Sequence, residues 1–253
     1  MTTIGILGIG HLAEFIIHGA AGKGYSFLLS PRSAGRAERL AAATGAMVAD
    51  SNQAVVDGAD LILSCLPATE GPEILQGLTF RPGQSVLSAM AGTRQAALAD
   101  IVAPATAFCT MMPGLANSYG VGPCLLYPAD PRWQAFLSNL GPVHLFDDEN
   151  AFVTATAFGA LSGASFFLMD AMIGWFVDNG LPAPQARRLV AETLRGNATV
   201  LLHETATLAE ITPGIATPGG ITEALVRILN RDGGIGAWSQ GLDLVLRRVR
   251  GAE

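Results

Sequence analysis

The sequence contains little charge and almost no lysine. Asp, Glu, Lys and Arg make up 14% of the 253 residues, well below the usual quarter, and Lys23 is the only lysine. The net charge of −6 argues against nucleic acid as a partner. Hydrophobic residues reach 50%, so we expect a large subunit interface in addition to the core.

Cysteine and histidine are also scarce, and neither is arranged for a metal. The cysteines show no paired spacing and the histidines no metal-ligand spacing. These residues are Cys65, Cys109, Cys124, His11, His18, His144 and His203. We therefore expect no bound metal, and reduced thiols that behave as small buried groups. No basic-plus-apolar leader precedes the first apolar run, so we expect a cytoplasmic protein.

The chain begins with a short apolar run and a glycine-rich turn. Ile4–Leu7 predicts a strand, and a G-x-G-x-x-A pattern made by Gly8, Gly10 and Ala13 precedes a helical pattern. Such glycines allow a tight turn and let a pyrophosphate approach the backbone, while the alanine lets the helix pack closely. In this strand–turn–helix context the pattern predicts a dinucleotide site. The alternative is a glycine-rich turn that binds no nucleotide.

The end of the second predicted strand indicates which nucleotide binds. An NAD enzyme usually has an acid there for the ribose 2′-hydroxyl group. This chain instead has Ser30, Pro31, Arg32 and Ser33, with Arg36 one turn later. A cation with hydroxyl groups suits a 2′-phosphate, so we predict NADP(H). The alternative is that these residues only cap the next helix.

Strand and helix patterns alternate through residues 1–149, which predicts a Rossmann-type, doubly wound α/β sheet. Ligands of such sheets bind outside the carboxyl ends of the strands. The candidate cofactor-binding residues at these ends are Gly8, Gly10, His11, Leu12, Ser30, Arg32, Ser33, Leu66, Pro67, Ala89, Ala91, Met112 and Pro113.

Residues 150–253 are predicted to form an all-helical dimerisation domain. Residues 151–177 contain one charge, Asp170, and are long enough to cross a membrane. Scattered Ser, Thr and Gly and the lack of a basic flank argue against a membrane span. We therefore predict a soluble protein whose long apolar helix is buried at a homodimer interface. Asp170 should be paired or face the site, because an unpaired buried charge is costly.

Near the end of the chain, the stretch "TPGGIT" opens another predicted helix. Thr217 is a good N-cap and Pro218 suits the first helical position. Gly219 and Gly220 would then present bare backbone N–H groups at a helix N-terminus, where anions bind. The alternative is an ordinary capped helix with glycine-rich punctuation.

The order of these features resembles pyrroline-5-carboxylate reductase. The similarity is carried by "GILGIGHLA", "VLSAMAG", "MMPG", "GLP" and "TPGGIT". It implies reduction by NAD(P)H of a cyclic imine that carries a carboxylate, in subunits that pair through their C-terminal helices. It also implies that Thr217, Gly219 and Gly220 bind the substrate, with the two glycines on its carboxylate. Thr222 matches the threonine whose hydroxyl group lies near the substrate nitrogen.

The chain departs from this family at pocket positions. Leu66 stands where the family often has lysine, "MPGLA" (112–116) replaces "MPNTP", and "FGALSGA" (158–164) replaces "SGSGPAY". We therefore expect a larger and more apolar pocket, for pyrroline-5-carboxylate or a related carboxylated imine.

Two other functions are alternatives. One is a β-hydroxyacid dehydrogenase-like ketone reductase, but such enzymes use a lysine in the long-helix region, and Lys23 lies just after the first helix. A ketone needs a proton donor to its developing alkoxide, whereas an iminium ion does not. The other alternative is an NADP-binding interaction protein without turnover.

Overall fold

The structure is a computed structural model that describes residues 2–251, apart from the side chains of Ser33 and Ala34. The predicted cofactor contact of Ser33 therefore lies outside the described residues. The chain forms two compact units, Met1–Gly159 with Leu246–Glu253, and Ala160–Val245. The functional boundary at residue 149 stays a prediction.

The first unit is built on one sheet of eight strands. Their order is β3-β2-β1-β4-β5-β6-β7-β8, and neighbours run parallel except β6 with β7. This confirms the predicted doubly wound α/β fold. The strands are β1 (Thr2–Leu7), β2 (Tyr25–Leu29), β3 (Met47–Val48), β4 (Leu61–Ser64), β5 (Ser85–Ser88), β6 (Thr106–Met111), β7 (Cys124–Tyr127) and β8 (Val143–Leu145).

Thirteen α-helices and one 3-10 turn (Pro31–Ser33) lie within residues 2–251. Those that begin in the first unit are α1 (His11–Ala20), α2 (Ala34–Thr44), α3 (Asn52–Asp57), α4 (Gly71–Gln76), α5 (Gln95–Val102), α6 (Leu115–Ser118), α7 (Pro131–Leu137), α8 (Glu149–Ala155) and α9 (Phe158–Asp178). The others are α10 (Ala183–His203), α11 (Leu208–Ile215), α12 (Ile221–Arg231) and α13 (Gly236–Val249).

Apolar side chains cover both faces of the sheet. One buried cluster joins the strands to α1, α2 and α7, and the other joins them to α3, α4, α5 and α8. Central strands buried on both faces are nearly continuous apolar runs, which is why "IGIL" (4–7) and "LILS" (61–64) predicted them. Side chains of Ser51, Asp130 and Asp148 accept backbone N–H bonds at the starts of α3, α7 and α8, which fixes those helix starts.

The strand order reverses beside β1. The chain runs outward from β1 to β2 and β3, then crosses back to β4 on the other side of β1. A crevice opens at such a switch point, outside the carboxyl ends of the two strands. In this chain the crevice is framed by the residues that follow Leu7 and Ser64, which are paired in register.

The second unit leaves much apolar surface uncovered. No residue of α9 is buried, and the residues Phe167, Leu202 and Ile221 are 81%, 84% and 92% exposed. A soluble monomer rarely exposes apolar surface on this scale. By length and composition alone, the stretch Glu149–Asp178 would also qualify as a membrane span, since an 18-residue window of it has a mean hydropathy of 1.6 and is 22% buried.

A buried asparagine shapes the loop after β6. The side-chain oxygen of Asn117 accepts the amide of Gly114 at 2.8 Å, and its nitrogen donates to the carbonyls of Gly122 (2.8 Å) and Leu140 (3.2 Å). Asn117 is fully buried, so these bonds have no water to replace them. The side chain thereby fixes the turn that follows the "MMPG" stretch.

We predict that Asn117→Leu lowers the free energy of unfolding by about 2–4 kcal/mol, because it leaves buried backbone groups unpaired. Urea unfolding at fixed protein concentration measures the change. Asn139→Ala is the control, because the side-chain nitrogen of Asn139 donates only to the nearby carbonyls of Ala135 and Phe136 at the end of α7. Equal stability of the two variants would contradict this role for Asn117.

Candidate active site

A cavity of about 190 Å³ lies at the switch point of the sheet. It is lined by Gly8, Ile9, Gly10, Ser30, Arg32, Asn52, Cys65, Leu66 and Pro67. Six of these residues were predicted from the sequence to bind the cofactor: Gly8, Gly10, Ser30, Arg32, Leu66 and Pro67. The structure therefore brings together residues from the ends of β1, β2 and β4.

Gly8 is required by the backbone rather than by a ligand. Its φ is +89°, and a Cβ there would lie 2.8 Å from the carbonyl oxygen of Cys65. Gly10 is different, since a Cβ there would meet no atom within 4 Å. Gly10 is also the N-cap of α1, and because glycine has no side chain, no side-chain group caps the first amides of this helix. Open space and unpaired amides at a helix N-terminus suit a phosphate.

Ser30 supports the glycine turn. Its hydroxyl oxygen accepts the amide of Gly8 at 3.0 Å, and the residue is 1% exposed. The hydroxyl group was predicted to help bind a 2′-phosphate, but its bond in this structure holds the turn in place. Direct contact of Ser30 with the cofactor stays a prediction.

Arg32 is the charged side chain of the cavity lining, and an acid already contacts it. Its guanidinium lies 2.8 Å from a carboxylate oxygen of Glu70, and the two side chains are 62% and 51% exposed. Arg36, one turn later, lies 3.4 Å from Glu14 on α1. An exposed pair of this kind is worth at most about 1 kcal/mol, so a phosphate can compete for Arg32.

Ile9, Asn52 and Cys65 line the cavity but were not predicted from the sequence to bind the cofactor. Asn52 begins α3 shortly after the third strand. Its position beyond a strand end is the sequence signal that could have identified it as a cavity residue. Burial raises the pKa of the Cys65 thiol to about 12. Cys65 therefore stays a neutral thiol at physiological pH and supplies shape rather than a nucleophile.

The remaining predicted cofactor residues do not line this cavity. Met112 is buried, with Leu12 and Ala89 packed against the same apolar cluster. His11 and Ala91 are exposed and Pro113 is half-buried. The side chain of Met112 is part of the apolar core. Contacts of these six residues with the cofactor stay predictions.

The "TPGG" stretch is a turn, and the prediction that it forms the first helical turn is wrong. Helix α12 begins at Ile221 with Gly220 as its N-cap. The amide of Gly220 donates to the carbonyl of Thr217 at 2.9 Å, and Gly219 has a φ of +75°. Pro and then Gly with positive φ at the two central positions are typical of a type II turn. Positive φ is incompatible with the helix, so the helix starts later.

The amide of Gly219 is also paired. It donates to a carboxylate oxygen of Glu223 at 2.7 Å. The two backbone groups predicted to hold a substrate carboxylate therefore have partners within the chain. Thr222 is half-buried in the first turn of α12, and Thr217 is exposed. Glu223 was not predicted from the sequence to contact this turn, although an acid at the third position of a helix is a known capping signal.

Comparisons with known proteins cover both parts of the chain. A family model described as pyrroline-5-carboxylate reductase dimerisation matches residues 149–251, and one described as NADP oxidoreductase, coenzyme F420-dependent, matches residues 3–92. The pyrroline-5-carboxylate reductase of Corynebacterium melassecola is 27% identical over 94% of each chain. The solved 1-pyrroline-5-carboxylate reductase of Streptococcus pyogenes has a TM-score of 0.88, with 24% identity over 98% of each chain. The Plasmodium falciparum pyrroline carboxylate reductase, solved with NADP bound, has a TM-score of 0.83, with 17% identity over 99% of this chain and 97% of that one.

The chain carries a pyrroline-5-carboxylate reductase dimerisation domain over residues 149–251, and it resembles pyrroline-5-carboxylate reductases over more than nine-tenths of its length. The prediction of the family is confirmed. The NADP oxidoreductase match over residues 3–92 contains the glycine turn and Arg32, and it supports NADP(H) as the cofactor.

We predict that Arg32→Ala weakens NADPH binding by about 1–3 kcal/mol, because it removes a charge-assisted contact with the 2′-phosphate. Glu70→Gln should strengthen NADPH binding about two- to fivefold, because Arg32 loses a competing partner. Titration calorimetry with NADPH and NADH measures both effects, and NADH affinity should barely change.

Arg81→Ala is the control, because Arg81 pairs with Asp60 at 2.7 Å on the surface, at the opposite end of the sheet. Equal affinities of the unmodified protein for NADPH and NADH would contradict the role of Arg32.

Proposed function

We propose that this protein is a member of the pyrroline-5-carboxylate reductase family that uses NADPH to reduce a carbon–nitrogen double bond in a cyclic imine. The observation that carries the proposal is that one chain matches both an NADP oxidoreductase model and the reductase dimerisation model. Curated relatives named pyrroline-5-carboxylate reductase, which match over more than nine-tenths of this chain, support the same reaction class.

Reduction of an imine needs fewer catalytic groups than reduction of a ketone. Hydride from NADPH adds to the carbon of a protonated C=N bond, and the electron pair of that bond goes to nitrogen to give a neutral amine. No alkoxide forms, so no acid is needed to quench one. The sequence has one lysine, Lys23, and it lies just after α1 rather than in the long-helix region where the ketone-reducing alternative uses one.

We assign the substrate to the turn of residues 217–220 and the first turn of α12. In this proposal Thr222 places its hydroxyl group near the imine nitrogen. Thr217, Gly219 and Gly220 form the adjoining wall. The half-buried position of Thr222 and the exposed turn beside it support the assignment.

We predict that Thr222→Val lowers turnover of an imine by about ten- to a thousandfold, as removal of one donor at a reacting centre does. The substitution keeps the shape and removes the hydroxyl group. NADPH oxidation with 1-pyrroline-5-carboxylate, bulkier imines and matching ketones measures it. Thr44→Val, also at a half-buried helical position, is the control. Reduction of ketones without any imine, or no effect of Thr222→Val, would exclude this assignment.

We further propose that the C-terminal helices form a homodimer. The dimerisation model covers residues 149–251, and this region contains the exposed apolar side chains of the second unit. It also contains an apolar cavity of about 650 Å³ that is lined in part by Trp175 and Phe176. A second copy would cover such surface, and obligate interfaces commonly bury about 2,000 Å² or more.

Light scattering at micromolar concentration should therefore give twice the monomer mass. Phe167→Asp should shift the protein toward monomer, because Phe167 is an 81% exposed apolar residue of α9. Val121→Asp, at a 67% exposed position of the first unit, should leave the mass unchanged. A monomeric unmodified protein would exclude the proposed homodimer.

A further inference from the structure

Helix α13 ends against the first unit of the chain. The helix begins in the second unit, but residues Leu246–Glu253 belong to the first. Val249 is half-buried and packs against the apolar cluster that joins the sheet to α8. Arg250, the next residue, donates to the hydroxyl group of Thr154 on α8 at 3.3 Å. The last turn of α13 is therefore anchored to the sheet and to α8.

Residues 89–93, the β5 loop, follow the strand that pairs with β4. The amide of Ala89 donates at 2.9 Å to the carbonyl of Ser64, the last residue of β4, so the start of the loop is fixed to the sheet. Gly92 lies near the tip of the loop, where it is exposed and has a φ of +75°. Residues with a side chain rarely adopt this conformation, so the tip is a sharp turn.

The last turn of α13 packs against the tip of the β5 loop. Apart from its chain neighbours, a Cβ at Gly92 would meet one atom of the described residues within 4 Å, the carbonyl oxygen of Val249 at 3.8 Å. A gap of about 10 Å³ remains here, and Ala91, Gly92, Met111 and Val249 are among the residues that line it. A gap of this size holds at most one water molecule. The contact between Val249 and the loop is therefore close.

The β5 loop lies where the nicotinamide half of the cofactor is expected. Arg32, to which we assign the 2′-phosphate, follows β2, and the glycine turn follows β1. A dinucleotide that crosses the switch point therefore has its other half at the ends of β4 and β5, because the strand order is β2-β1-β4-β5. The β5 loop contains Ala89 and Ala91, which were both predicted from the sequence to bind the cofactor.

We propose that Val249 is a positioning residue that holds the β5 loop in place for the nicotinamide half of NADPH. It acts through the loop. A loop without this support must be ordered when the cofactor binds, which lowers the affinity for NADPH. It also places the nicotinamide less precisely, which slows hydride transfer. The effect on turnover rests on the proposed function, whereas the effect on affinity rests on the cofactor alone.

The test uses variants of the full-length protein at two positions of α13. Val249→Ala removes both γ-methyl groups of the side chain. Val249→Leu stays apolar and suits a helix, but its extra carbon does not fit the small gap without displacing the loop. Val245→Ala is the matched control, because Val245 is half-buried one turn earlier on the same helix. It lines a cavity of about 520 Å³ in the second unit and does not line the gap beside the β5 loop.

Calorimetry compares NADPH with adenosine 2′,5′-bisphosphate, which keeps the 2′-phosphate and lacks the nicotinamide half. Val249→Ala should weaken NADPH binding about fivefold and leave binding of the bisphosphate unchanged. Val249→Leu should give the same pattern at about threefold. Val245→Ala should change neither affinity. Arg32→Ala should weaken both ligands, because both carry the 2′-phosphate.

Turnover of 1-pyrroline-5-carboxylate provides the second readout. Val249→Ala should lower kcat about tenfold and leave the KM for the imine unchanged, because the substrate does not contact the displaced loop tip in this proposal. If no protein reduces any imine but the selective loss of NADPH affinity appears, the proposed reaction fails and the role of Val249 stands.

Two results would overturn the role of Val249 and leave the proposed function standing, provided that imines are still reduced. One is an unchanged NADPH affinity in both Val249 variants. The other is an equal loss of affinity for NADPH and for the bisphosphate in Val249→Leu, which would indicate a general loss of structure. The same selective loss in Val245→Ala would also overturn it, because the effect would not be local to the β5 loop.

Discussion

The cofactor cavity depends on one close approach between the ends of neighbouring strands. Gly8 leaves β1 at a φ of +89°, and a Cβ there would lie 2.8 Å from the carbonyl oxygen of Cys65, which follows β4. The amide of Gly8 also donates to Ser30 after β2. Three strand ends therefore meet at a glycine that no L side chain can replace without strain. The turn they form directs the uncapped N-terminus of α1 into the cavity, so the same contact shapes both the sheet and the site.

Internal carboxylates occupy both groups to which we assign the anions of the ligands. Glu70 lies on Arg32, where a 2′-phosphate is expected, and Glu223 lies on Gly219, where a substrate carboxylate is expected. The two cases differ in their consequences. A phosphate of nearly two negative charges competes well against an exposed ion pair. At Gly219 the carboxylate belongs to the first turn of α12, and its bond holds the turn that precedes that helix.

The sheet and most helices could be predicted because burial of an element determines its pattern of apolar residues, and this pattern is visible in the local sequence. It predicted the start of α12 wrongly, because Pro218 and Gly219 fit both a first helical turn and a type II turn. The actual choice follows from the φ of Gly219 and from the capping bond of Glu223. The contact of Arg32 with Glu70 joins residues 38 positions apart, and the periodicity that reveals helices and strands carries no information about such a pairing. The residues predicted beyond the switch-point cavity stay predictions for the same reason.

The scarcity of charge noted at the start is consistent with the proposed chemistry. The one lysine, Lys23, donates to the carbonyl of Asn139 at 2.7 Å. It precedes β2, so it lies at the amino ends of the parallel strands, opposite the cavity. A ketone reductase would need an acid at the other end, because an alkoxide must be protonated. An iminium ion brings its own proton and its own charge. A site that binds it therefore needs a hydride donor, a shaped apolar wall and one polar group for orientation, with no acid or base.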